Sequence, residues 1–142
     1  MISNDKIRQL IAEQTEYMTQ TRRYLHTIPE VGGTETKTKA FLMEEIKKTG
    51  LPYEEVPTNS IIVKMDTGRP GKVVALRACR SGHEGFCHAC GHDGHMTMLL
   101  AAMKVLTQLK DELTGTVLFC FEEGEENGTG YPVLLPALEK YH

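Results

Sequence analysis

Two stretches of this sequence are apolar at consecutive positions, Val73-Val74-Ala75-Leu76 and Val117-Leu118-Phe119-Cys120-Phe121, and each leads into a segment crowded with reactive side chains. A strand that shows one face to water alternates polar and apolar residues, whereas an uninterrupted apolar run asks for cover on both faces. The Val73 run, part of a strand expected from Lys72 to Arg77, is therefore read as buried on both faces, and a second strand is expected from Thr116 to Phe121. Strands of this kind need helices packed over them.

Amphipathic segments supply that cover. From Asp5 to about Ile28 the apolar residues Ile7, Leu10, Ile11, Tyr17, Met18 and Leu25 recur mostly at steps of three or four, which predicts one helix ended by Pro29. A second helix is expected from near Thr34 to the stop at Gly50. Its start is weakly marked, because Lys37 stands where a capping box needs Glu or Gln. Tyr53 to Val56 and Ser60 to Met65 read as short strands flanked by the turns Pro57-Thr58-Asn59 and Thr67-Gly68-Arg69-Pro70-Gly71. A third helix is expected from Gly94 to Leu109, and a fourth from Tyr131. Helices interleaved with apolar strands predict an α/β protein, a three-layer α/β/α sandwich with a mixed, mainly parallel sheet.

Charge narrows the partners. Sixteen Lys and Arg against nineteen Asp and Glu leave a net charge of −3, so no basic field exists to draw nucleic acid or an anionic membrane. The amino-terminal residues lack the charged start and apolar run of a secretory signal, and no segment approaches a membrane span. Three of the four cysteines, Cys79, Cys87 and Cys90, lie among histidines, a pattern of metal chemistry more than of a disulfide framework. A cytoplasmic protein with a small-molecule or peptide partner is the expectation.

The chemistry concentrates after the two apolar strands. His83 to His95 contains Cys87-His88-Ala89-Cys90-Gly91-His92-Asp93-Gly94-His95, whose thiols and imidazoles suit Zn²⁺, with imidazole and carboxylate also accepting Mn²⁺ or Co²⁺. Gly91 allows a turn tight enough for Cys90 and His92 to reach one ion, and Asp93 could bridge ions or orient a ligand. The second segment, Glu122-Glu123-Gly124-Glu125-Glu126, carries carboxylates whose mutual repulsion a cation would relieve. Most acidic runs are solvated faces, but in α/β sheets ligands bind beyond the carboxyl ends of strands, so both loops could face one pocket.

These residues resemble the zinc-peptidase and amidohydrolase family of aminoacylases, carboxypeptidases and dipeptidases, especially its branch of hippurate, auxin-conjugate and N-acyl-amino-acid hydrolases. The likeness runs from about Arg23 to Glu126. It takes in Arg23-Tyr24-Leu25-His26-Thr27-Ile28-Pro29-Glu30, Glu35 and Thr38, Val74-Ala75-Leu76-Arg77-Ala78, the specific string His88-Ala89-Cys90-Gly91-His92-Asp93, and Gly115-Thr116-Val117 leading to Glu125-Glu126. By motif position the resemblance implies Cys90, His92 and Glu126 as ligands of one or two divalent ions, with Glu125 as general base. Asp93, His88 and His95 are implied in supporting positions. The implied reaction is hydrolysis of an amide in an N-acyl amino acid or small peptide by metal-activated water.

The chain departs from the branch at Cys79-Arg80-Ser81-Gly82, where Asp-Met-Asp-Ala-Leu-Pro is usual, and Glu122-Glu123-Gly124 stands for Gln-Pro-Ala. The resemblance also implies that residues 1–142 form the amino-terminal portion of the catalytic domain, without the inserted dimerisation domain, so an oligomer stays open. A competing reading is a truncated or non-catalytic module. In it, Cys79, Cys87, Cys90 and a histidine close a structural zinc site, with Cys87-His88-Ala89-Cys90 as its knuckle.

Overall fold

A computed structural model describes residues 2–57, 59–80 and 87–141. Thr58 of the expected turn, Ser81-Gly82, and the His83 end of the first reactive segment lie outside the described residues, as do Met1 and His142. In chain order the elements are α1 (Asn4–Ala12), α2 (Thr15–His26), α3 (Thr36–Thr49), β1 (Tyr53–Glu55), β2 (Ile61–Asp66), β3 (Val73–Cys79), α4 (His92–Gln108), a 3₁₀ turn (Lys110–Glu112), β4 (Thr116–Glu122) and α5 (Tyr131–Glu139).

The strands form one mixed sheet in the order β1-β2-β4-β3. β1 with β2 and β2 with β4 run antiparallel, while β3 with β4 runs parallel. The mixed α/β sheet was expected, but among the described residues parallel pairing is confined to the β3–β4 pair, whose crossover contains α4. On one face Leu25 of α2, Leu42 and Ile46 of α3, and Met96, Leu100 and Met103 of α4 pack on Ile61, Val63, Met65, Phe119 and Phe121. On the other face Leu134 of α5 packs with Ile62, Leu118 and Cys120. Helices thus cover both faces of the central strands, giving three layers.

Two sequence expectations are corrected, and the weakly marked start of the second expected helix finds its support. The Val73 run is not buried on both faces, since Val73 and Val74 are 44% and 50% exposed. Among the described residues β3 is an edge strand paired only with β4, so composition alone could not separate a covered strand from an apolar edge. The long first helix is two helices. The hydroxyl of Thr15 donates to the Ala12 carbonyl at 2.7 Å, competing for an acceptor that a continuous helix would use for its own ladder. Finally, α3 begins at Thr36 and is capped from a distance: the Glu30 carboxylate accepts the amides of Lys37 and Thr38 at 3.0 and 2.8 Å.

Candidate metal centre

Parallel pairing places the carboxyl ends of β3 and β4 side by side, with Cys79 opposite Glu122 in register. The segments leaving the two strands therefore emerge at the same edge of the sheet. Beyond β3 the chain reaches Cys87 and turns through Gly91, whose φ of 78° is the left-handed conformation that glycine adopts without a Cβ penalty. α4 starts directly after this turn. Its first residue, His92, is buried, and His95 stands three residues on, along the same side of the helix.

The four carboxylates from the last residue of β4 onward divide by role. Glu122 and Glu123 are buried, and the former forms an ion pair with Arg77. Arg80, also buried, donates to the Glu35 carbonyl at 3.3 Å and to the Asn59 carbonyl. Burial draws the Arg80 guanidinium below its ordinary pKa, while the carboxylates of Glu35, Glu123 and Glu30 oppose that shift. The cationic residues Arg77 and Arg80 thus offset part of the repulsion expected from this run. Glu125 and Glu126 remain partly exposed and face α4: His92 Nε2 lies 3.4 Å from Glu125 Oε2 and 3.9 Å from Glu126 Oε1. The Cys90 thiol donates to Glu126, an interaction that, with some desolvation, raises the thiol pKa.

The loop carrying this pair is tied to the fold. Glu35, buried at the start of α3, accepts the Gly124 amide at 2.9 Å and the Gly33 amide at 2.7 Å. The Glu123 amide donates to the Ser60 hydroxyl at 3.1 Å. Glu35 and Ser60 thereby hold the backbone immediately before Glu125. In the sequence Glu35 stood out only as a motif position, with no role attached.

Asp93 turns toward α2. Its buried carboxylate accepts from Arg22 Nε at 2.9 Å, from His26 Nδ1 at 2.8 Å and from the Gly94 amide at 2.9 Å, pinning the start of α4 to α2. His88 is buried beside His26, with ring centroids 6.2 Å apart. Burial lowers its pKa, which favours the neutral ring. Arg22 and His26 were missed as supports for this centre, although His26 lies within the Leu-His motif.

Two groups of described residues bring at least three donor atoms within 4.8 Å of one another: His92 with Glu125 and Glu126, and Cys79 with His92 and His95. Cys87 and Cys90 belong to neither group, so the knuckle-based closed site is not among them. For a tetrahedral ion with ligand bonds of about 2.0–2.2 Å, nitrogen and oxygen donors stand about 3.4 Å apart. His92 and Glu126, the pair expected to ligate, stand 3.9 Å apart and need only a small approach, and Glu125 lies beside them at 3.4 Å from His92. The donors fit a divalent ion.

A mixed α/β sheet delivering imidazole and paired carboxylates to one edge defines a metallohydrolase-like framework. The family model of Peptidase family M20/M25/M40 matches residues 64–141, more than half of the chain, and the chain belongs to that family. It is 34% identical over 140 residues to an N-acyl-L-amino acid amidohydrolase of Geobacillus stearothermophilus, an alignment covering 88% of this chain and 38% of that protein. It is 38% identical over 133 residues to an N-acetyldiaminopimelate deacetylase of Enterococcus faecalis, covering 82% of this chain and 35% of the relative. A Bacillus subtilis structure described as a dinuclear metal binding peptidase of the M20 family superposes with a TM-score of 0.79 at 26% identity, covering 92% of this chain and 40% of the other. The chain thus spans little more than a third of the length of these curated relatives. Among the described residues no helix is long and apolar enough to cross a membrane.

Proposed function

We propose that this chain supplies the amino-terminal part of the catalytic domain of a metal-dependent amidohydrolase. Its substrates are N-acyl amino acids or small peptides, as the names of the amidohydrolase and deacetylase relatives suggest. The observation that carries the reading is the meeting of His92 with Glu125 and Glu126, delivered from separate loops after β3 and β4.

In this reading His92 and Glu126 hold the ion, with Cys90 close enough to Glu126 to join them. A bound Zn²⁺, Mn²⁺ or Co²⁺ would supply Lewis acidity for the amide carbonyl and lower the pKa of the attacking water. Glu125 would serve as the general base toward the attacking water and carry its proton to the leaving amine. Buried His92 presents a fixed imidazole, and the Asp93–Arg22–His26 contacts hold the helix end that carries it. Glu35 and Ser60 fix the approach of the carboxylate loop.

The test is metal stoichiometry of the purified chain alongside its Glu126→Ala, Cys90→Ala and Glu125→Gln variants. Binding should weaken in the first two and persist in Glu125→Gln. Release of amino acid from an N-acetyl substrate, measured in a chain extended to the length of its relatives, should be lost in Glu125→Gln. Metal binding indifferent to Glu126 would overturn the assignment.

A further inference from the structure

We propose that Cys79, His92 and His95 form a second ion site on the β3 side of His92, selective for a thiophilic divalent ion such as Zn²⁺. The proposal deepens the metal-centre reading and shares only His92 with it. Cys79 is the last residue of β3 and is half-buried, while His92 and His95 lie on the first turn of α4, which packs against that strand. The donor atoms of all three lie within 4.8 Å of one another.

The geometry is close to that of a coordinated ion. With Zn–S of about 2.3 Å and Zn–N of about 2.0–2.1 Å at a tetrahedral angle, sulfur and nitrogen stand about 3.6 Å apart. Cys79 Sγ lies 3.7 Å from His95 Nδ1. A thiol-to-imidazole hydrogen bond would account for that pair alone. It would not account for the third donor, His92, whose ring meets His95 edge-on with centroids 5.7 Å apart.

Chemistry sets the selectivity. Cys79 offers this group a sulfur donor in place of a carboxylate oxygen. Thiolate with imidazole favours zinc over magnesium, calcium or manganese. Three protein ligands leave a coordination position open, unlike a closed structural site, and exposed His95 gives the ion a route from solvent.

The experiment monitors alkylation of each cysteine by iodoacetamide in the intact chain, with and without Zn²⁺, by peptide mass mapping. Zn²⁺ should protect Cys79, and the protection should persist in Glu126→Ala. His95→Gln, at an exposed helical position, should weaken protective binding at Cys79 at least roughly tenfold, since loss of even an outer partner of a ligand costs that much. With Co²⁺ as probe, the near-ultraviolet thiolate charge-transfer absorption that remains in Cys90→Ser should be lost when Cys79→Ser is added. Equal alkylation of Cys79 with and without Zn²⁺, or absorption indifferent to Cys79, would overturn the site. Loss of Cys79 protection alone, with Glu126-dependent binding intact, would leave the amidohydrolase reading standing. Cys79 protection with no dependence of any binding on Glu126 would refute that reading and keep this one.

Discussion

Replacing Asp93 by Asn tests whether the start of α4 is held by a buried charge. The Asp93 side chain is 1% exposed and accepts from Arg22, His26 and the Gly94 amide at 2.8–2.9 Å. Breaking a fully buried ion pair costs about 3–5 kcal/mol. Here the Arg22 and His26 side chains are 50% and 48% exposed, so water recovers much of their solvation. Asn also keeps one acceptor oxygen, but loses the negative charge at the helix amino terminus, worth about 0.3–1 kcal/mol. A net destabilisation of about 2 kcal/mol is expected. At urea slopes of about 1–3 kcal/mol/M, the unfolding midpoint should fall by about 1 M. Burial alone would raise the Asp93 pKa, but hydrogen bonds from His26 and Gly94 and the charge of Arg22 hold it below its ordinary value. A carboxylate with a depressed folded pKa contributes fully above its unfolded pKa, near pH 4, and loses that contribution as pH falls through the folded value. The gap between the two proteins should therefore be widest at neutral pH and shrink under acid. Equal midpoints at pH 7, or a gap that widens on acidification, would refute the reasoning.

Glu30→Gln should cost about 1 kcal/mol in thermal or urea unfolding monitored by circular dichroism, because the carboxylate caps α3 through the Lys37 and Thr38 amides. Burial works against the Glu30 charge, yet those amides hold its pKa below the ordinary value, so this difference too should fade as pH falls below about 4. At Gly130 an added methyl would stand 2.0 Å from the Glu123 carbonyl oxygen and 2.7 Å from Glu122 Cγ. Gly130→Ala should cost roughly 1–3 kcal/mol, and by shifting the loop between β4 and α5 it should also weaken metal binding, measured by equilibrium dialysis; unchanged affinity would separate that backbone from the Glu125–Glu126 geometry.

The meeting of the two reactive segments was more legible in the sequence than the direction of strand pairing. Convergence of the two loops was legible because both come after apolar strands, and the β3–β4 pairing brings those ends together. Pairing direction was less accessible, since antiparallel β2–β4 contacts depend on which strand occupies the centre, and Val and Ile runs fit either direction. The exposed Val74 shows the same limit, because burial belongs to a strand's neighbours as well as to its own residues. The α1–α2 break turns on one hydroxyl at Thr15. Glu30, Glu35 and Asp93 act on backbone or side chains far away in sequence, at contacts no local spacing encodes. Cys79 looked like a partner for Cys87 and Cys90, its neighbours in sequence; the crossover through α4 instead gives it His92 and His95.

The strand order has a consequence for how the chain brings its donor groups together. β2 and β3 are consecutive in sequence but are not paired; β4 lies between them, with Asp66 and Val73 both opposite Thr116. During synthesis, which proceeds from the amino terminus, β1 and β2 can form a hairpin, but β3 has no strand to join until β4 has emerged. Parallel pairing across the intervening helix is a non-local step, slow compared with local helix formation. When β4 inserts, it brings the Glu125–Glu126 loop against the start of α4 in the same movement. Assembly of the donor groups is therefore coupled to completion of the sheet, and a chain whose central strand has not yet inserted holds His92 and Glu125–Glu126 without bringing them together.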